Sequence, residues 1–201
     1  MSIYSEYFYW GPLLWKTKVS NDIVDGLLTR GLKSNVSHRH QLVGHFKDEY
    51  SYSKDDMSWF VEKMKPYFLN HKDVCENEWY LTENPPIELA SLWINIMRAG
   101  DFNPPHTHDG ELSFVIYLKV PEKLEEEFNS YVGRSPEGNG AGAVTFGIDF
   151  DATKKNTIST KTFLPEVGDL FIFPANLTHF VAPFKCEGER ISVSGNLIKQ
   201  C

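Results

Sequence analysis

Residues 103–118 read NPPHTHDGELSFVIYL. The second half, ELSFVIYL, is an alternating apolar run that predicts a buried strand. Asp109-Gly110, just ahead of it, is a turn signal. In front of the turn stand His106 and His108. In extended backbone, residues i and i+2 point the same way, so the two imidazoles aim at one point at the mouth of the strand. That is where a β-barrel holds a ligand cavity. The imidazole pair alone does not choose its metal, since iron, copper, nickel and zinc all accept such donors.

Working outward, the same period recurs toward the C-terminus. IELASLWINIM (87–97), GAVTFGIDF (142–150), TISTKTFL (157–164), GDLFIFP (168–174) and RISVSGNLI (190–198) are short and rich in β-branched and aromatic residues. With ELSFVIYLKV (111–120) they make six strands without intervening helices, which predicts an antiparallel sandwich or barrel and excludes βαβ units. The segment 121–142 is acidic, then glycine-rich, and reads as a solvated loop or as a flap over the site.

Toward the N-terminus the period becomes helical. Ser20-Asn21-Asp22 supplies N-cap chemistry before Ile23, Val24, Leu27, Leu28 and Leu32. A second helix is expected over 53–70, kinked or divided at Pro66 because proline removes a backbone donor. The organisation predicted is one domain over 1–201, with 1–86 as helical support and 87–201 as the β core.

Composition excludes several classes. A net charge of −7, with no long basic run, argues against a nucleic-acid partner. No apolar run approaches the roughly 20 residues that span a bilayer, so no membrane partner is expected. The N-terminus lacks signal-peptide features. Cys75, Cys186 and Cys201 lack CxxC spacing and read as free thiols in a reducing compartment. A cytoplasmic protein is the expectation. An exposed edge strand could pair two copies into a homodimer.

A third ligand must come from another strand, and GDLFIFPANLTHFVAP offers His179. Eleven residues later Arg190-Ile191-Ser192 opens the last strand. Arg190 and Ser192 share a face there, and together they could grip a carboxylate, guanidinium and hydroxyl side by side. An arginine in so apolar a strand is costly to bury unless an anion meets it. A second HxH, His38 and His40 in SHRHQLVGH with His45 after it, lies between helical segments and reads as surface or packing.

GDFNPPHTHDGELSFVIYL, GDLFIFPANLTHFVAP and GERISVSGN, in that order and spacing, resemble the 2-oxoglutarate- and iron(II)-dependent oxygenases on their prolyl-4-hydroxylase-like side. The chain is similar to small stand-alone oxygenases carried by cyanophages, which would place it in the host cytoplasm if phage-encoded. The resemblance covers about residues 87–199. It implies a mainly β fold, the double-stranded β-helix or jelly roll, a cupin-like barrel with helices packed on one face. It implies Fe(II), 2-oxoglutarate and O2 as cofactors and a hydroxylation that releases succinate and CO2. Residue by residue, it puts metal ligands at His106 and His179 and the 2-oxoglutarate grip at Arg190 with Ser192. The usual carboxylate position of the HxD motif holds His108, so a three-histidine site is expected. Asp109 or Glu111 swinging in is the lesser alternative. Asn95 and Tyr117 are candidate cosubstrate contacts, and each could equally be core packing. Substrate contacts would come from 35–52 and 121–142, with aromatics such as Tyr131 or Trp79. The substrate is then a peptide or protein side chain, prolyl or other, or a small metabolite.

Two other readings stay open at this point. Gly100-x5-His106-x-His108 and Gly168-x5-Pro174-x-Asn176-x2-His179 approximate the cupin signature, with Asn176 in place of glycine. A cupin would be a metal enzyme or sensor that does not use 2-oxoglutarate, and it makes no demand for Arg190-x-Ser192. A binding module that kept the fold without turnover is the third, suggested by His108 at the carboxylate position.

Overall fold

The computed structural model describes residues 3–9, 13–39, 43–78, 86–130, 140–147 and 160–200. In chain order the elements are β1 (Ser5–Tyr9), β2 (Leu13–Lys18), α1 (Asn21–Gly31), β3 (Asp48–Ser51), α2 (Lys54–Glu78), β4 (Ile87–Met97), β5 (Asn103–His106), β6 (Leu112–Lys119), α3 (Leu124–Asn129), β7 (Val144–Phe146), β8 (Lys161–Phe163), β9 (Asp169–Pro174), β10 (His179–Val181) and β11 (Arg190–Lys199). They form a seven-stranded sheet, β1-β2-β9-β6-β11-β4-β3, and a four-stranded sheet, β5-β10-β7-β8. Every pairing is antiparallel. Two such sheets facing each other make the antiparallel sandwich that the strand pattern predicts and the double-stranded β-helix that the resemblance implies.

The larger sheet is buried on both faces, so apolar residues dominate its central strands, with Asn95, Ser113, Arg190 and Ser192 as buried polar exceptions. On the outer face, Ile94, Ile116, Leu170, Ile172 and Val193 pack against Ile23, Val24 and Leu27 of α1 and Phe60 and Met64 of α2. Phe60 stacks on Phe114 of β6 with ring centroids 5.2 Å apart. On the inner face, Leu14, Tyr117, Phe171 and Phe173 meet Val144 and Phe146 of the small sheet in a second core. Gly195 of β11 lets these layers close. A Cβ there would lie 2.4 Å from Phe114 Cζ and 2.6 Å from the Ser91 carbonyl.

The helices keep their predicted stripes with local differences. Ser20 caps α1 through its carbonyl, which accepts from the N–H groups of Ile23 and Val24 at 3.1 and 3.2 Å. Its hydroxyl turns to Asp22 instead. Leu32 falls just past the last turn and is exposed rather than in the core. The second helix starts at Lys54, reaches Glu78 and runs on through Pro66 as one element. Pro66 lies on the solvent side, where water can satisfy the carbonyl its missing N–H abandons.

The expectation of a purely helical support over 1–86 needs correction, because that third also supplies β1, β2 and β3. β2 pairs with β9 and β3 with β4, so the N-terminal strands extend the large sheet at both edges. The 121–142 segment is not loop throughout either. It carries α3, whose Glu127 carboxylate accepts the backbone N–H groups of Lys185 and Cys186. No described helix is long and apolar enough to cross a membrane.

Candidate active site

Two short strands bring the histidines together. His106 closes β5, and His179 opens β10 directly opposite it in the ladder. The turn after β5 is pinned where His108 donates its N–H to the Ala175 carbonyl at 2.8 Å. The ring centroids of His106 and His179 lie 4.2 Å apart, those of His106 and His108 4.9 Å, and those of His108 and His179 5.1 Å. One ligating nitrogen from each falls within 4.8 Å of the others.

The rings are prepared as neutral donors. His106 Nδ1 sits 2.7 Å from the Pro104 carbonyl and His179 Nδ1 3.0 Å from that of Leu177. A carbonyl only accepts, so Nδ1 carries the proton and Nε2 keeps its lone pair. Burial pushes His179 down to about 3, with the neighbouring His106 adding to it. Burial likewise brings His108 to about 4 and lowers His106. Phe173 and Phe146 flank His179, with centroids 4.8 and 6.0 Å from it, and keep water from that side.

Asp109 and Glu111 stay outside the cluster. Asp109 is exposed. Glu111 is exposed too and pairs with Lys199 at 3.6 Å. Among the described residues, the candidate metal cluster consists of the three histidines and no carboxylate.

The same cavity holds Arg190, Ser192, Asn95 and Tyr117. Their placement follows from register. Asn95 of β4 pairs with Ser192 of β11, and Ser192 with Tyr117 of β6, so the three form one row across the inner face. Arg190, two residues before Ser192, points the same way. Arg190 is 2% exposed. It donates Nη1 to the Gly142 carbonyl at 3.0 Å and lies 5.3 Å over the Tyr117 ring. Gly142 has φ +66°, a left-handed conformation that glycine adopts without strain and that aims this carbonyl inward. Among the described residues, Arg190 Nε has no hydrogen-bond partner and no carboxylate pairs with the guanidinium. Burial lowers its value from the ordinary one, with Tyr117 opposing. Burial pushes Tyr117 up to about 12, which keeps its phenol neutral. Asn95 donates Nδ2 to Ser194 Oγ at 3.1 Å.

Sequence reasoning missed Glu49. It extends the polar row by one strand, pairing with Asn95 from β3, and is 1% exposed inside the cavity. An acidic residue in the polar run KDEYSYS gives no sign of pointing inward. His38 and His45 serve packing. His38 stacks on Trp93 at 4.9 Å, and Trp93 in turn lies 5.9 Å from His108. His45 stacks on Phe102 at 4.5 Å. His40, Trp79, Tyr131 and Cys201 lie outside the described residues.

This donor set fits a divalent metal and an anionic cosubstrate: three neutral imidazoles converge, and a buried cation in the same cavity lacks an anion. A family model described as "Putative 2OG-Fe(II) oxygenase" matches residues 91–196, more than half of the 201-residue chain. The chain belongs to this 2-oxoglutarate/iron(II) oxygenase family. It is therefore an oxidoreductase whose cofactors are iron and 2-oxoglutarate, and the cupin reading falls away. Among solved structures, the oxygenase fold recurs in viral collagen prolyl hydroxylase from Paramecium Bursaria Chlorella virus-1 in complex with 2-oxoglutarate. That protein is 16% identical, with 92% of this chain and 94% of that one covered and a TM-score of 0.55. A prolyl-4-hydroxylase from Pseudomonas putida is 14% identical over 94% of this chain and 93% of that one, with a TM-score of 0.55. HygX from Streptomyces hygroscopicus, with nickel, 2-oxoglutarate and hygromycin B bound, is 10% identical over 93% and 83%, with a TM-score of 0.60. No curated protein matches the chain.

Proposed function

We propose that this oxygenase hydroxylates a C–H bond of its substrate, consuming 2-oxoglutarate and O2 and releasing succinate and CO2. His106, His108 and His179 would hold the iron, which supplies the open positions for cosubstrate and dioxygen chemistry. Arg190 receives the far carboxylate of 2-oxoglutarate, with Nε free to donate and Nη1 braced by Gly142. Ser192 adds a hydroxyl on the same face, and Tyr117 walls the guanidinium from below. Asn95 continues the polar row toward β3. Phe146 and Phe173 exclude water around His179, which protects the reactants from side reactions.

One observation supports this reading above the rest. A buried arginine without an anion shares its cavity with three neutral imidazoles. A buried unpaired cation costs stability, and a dicarboxylate that reaches from the imidazoles to Arg190 offsets that cost. The substrate is a peptide or protein side chain, prolyl or other, or a small metabolite. Adding Fe(II) and 2-oxoglutarate without oxygen tests the proposal. A weak visible charge-transfer band should appear only with both present, and succinate should accumulate once air is admitted. A protein that shows no band and no succinate above background is not an oxygenase of this type.

A further inference from the structure

Three buried polar atoms around the cavity have no hydrogen-bond partner among the described residues: Arg190 Nε, Asn103 Oδ1 and Glu49 Oε2. The first is a donor, and the 2-oxoglutarate reading uses it. The other two are acceptors, and nothing in that reading uses them. A buried acceptor without a donor costs free energy, and a buried carboxylate costs more.

Their positions separate them from the cosubstrate grip. Glu49 lies on edge strand β3, next to Asn95 and two strands from Ser192. Strand spacing puts its backbone about 10 Å from that of β11. Asn103 starts β5 and lies opposite Val181, two residues along β10 from His179, in the smaller sheet and not in the sheet that carries Arg190. Arg39, an exposed residue, is the cation whose field reaches Glu49. Trp93 and Phe46, both buried, add aromatic surface to the same cavity, which favours a cation over a second anion.

We propose that Glu49 and Asn103 recognise a basic nitrogen, an ammonium or guanidinium group, on the primary substrate. The cation would dock on the β3 side of the cavity, two strands to the side of Arg190, so that the two opposite charges of the pocket sort substrate from cosubstrate. Which molecule counts as the substrate rests on the oxygenase reading; the cation site itself does not. Burial pushes the Glu49 carboxyl up to about 7, so near neutral pH it can give up its proton as a cation arrives.

The test uses protein loaded with Fe(II) and 2-oxoglutarate without oxygen, titrated with butylammonium and with 1-butanol, its neutral counterpart. Binding is followed by ligand-observed NMR, in which iron broadens the signals of a probe held in this cavity. Butylammonium should bind at least about tenfold more tightly, as a charge-assisted bond exceeds a neutral one. Glu49→Gln should abolish that preference and leave the 2-oxoglutarate band in place. Equal affinity for the two probes, or a preference that survives in Glu49→Gln, overturns the proposal. Should Glu49→Gln not fold, Asn103→Ala decides. It should weaken butylammonium about tenfold, the loss of one hydrogen bond from a charged donor, and an unchanged affinity overturns the proposal. If iron or 2-oxoglutarate fails to bind while saturation transfer still shows the Glu49-dependent preference, the oxygenase reading falls and the cation site stands.

Discussion

His106 and His179 occupy paired positions of β5 and β10, and their rings lie 4.2 Å apart with both Nδ1 atoms held by backbone carbonyls. Register and tautomer thus come from the backbone, and the third nitrogen comes from His108 on the turn that follows. If His108 stands at the carboxylate position, His108→Ala should lose iron as completely as His179→Ala. Each loss should be at least about 100-fold, the upper end for outer-shell partners. Asp109→Ala should hold iron within about threefold of the parent, since that carboxylate is exposed and outside the cluster. Anaerobic competition with a chromogenic chelator measures all three. The reverse ranking of His108→Ala and Asp109→Ala would put the carboxylate back in the site.

Arg190→Met keeps length and removes the charge. With 2-oxoglutarate paired to a buried guanidinium, the variant should lose about 2–4 kcal/mol of cosubstrate affinity, roughly thirtyfold to a thousandfold. The ligand-free variant should melt no lower than the parent, because it no longer buries an unpaired cation. Melting with and without 2-oxoglutarate separates the two effects. At 100 times Kd the parent should gain about 2.7 kcal/mol and the variant almost none. A variant that melts far lower without ligand would mean that Arg190 is mainly a structural brace for Gly142.

Gly195→Ala tests how the layers close. Its new methyl would press on the Phe114 ring, which is itself stacked on Phe60 of α2. The expected cost is about 1–3 kcal/mol, as for other overpacked cores. Phe114→Leu in the same chain should recover part of that loss, giving a coupling energy of about 0.5 kcal/mol or more in a double-mutant cycle. Urea denaturation reads it. Recovery stays partial because the Ser91 carbonyl cannot retreat as a side chain can.

Legibility in the sequence followed burial. β4, β6 and β9 are readable because each carries an apolar run, and β11 by its period of two, which also shows Arg190 and Ser192 as a same-face pair. β5 and β10 have four and three residues, built around Pro-Pro-His and His-Phe-Val, too short to show a period. β1 (SEYFY) holds three aromatics in a row and β2 (LLWKTK) a single one, so neither shows an aromatic period of two, and β1 runs along an edge, where pairing rather than pattern defines a strand. β3 reads Asp-Glu-Tyr-Ser, a polar edge strand. Glu49 points inward because β3 pairs with β4 in a register that sets it beside Asn95, and no local pattern contains that information.

Glu49 also predicts a pH dependence with a definite sign. Its carboxyl is held at about 7 against an ordinary 4.5, burial being the main cause and Arg39 opposing it. The folded state therefore binds the proton more tightly than the unfolded state. Its stabilising contribution is complete below pH 4.5, declines as pH rises, and is gone above pH 7. Glu49→Gln has no such proton to lose. The variant should match the parent within about 1 kcal/mol at pH 4.5 and exceed it by up to about 3 kcal/mol at pH 8. The buried histidines, whose lowered values weaken the fold in acid, contribute equally to both proteins and cancel in the difference. Urea denaturation of metal-free parent and variant at the two pH values gives that difference directly. A difference that stays flat with pH would show that Glu49 ionises freely in the folded protein. A rising one means that the chain keeps a destabilising carboxylate in its cavity, as residues retained for binding often are.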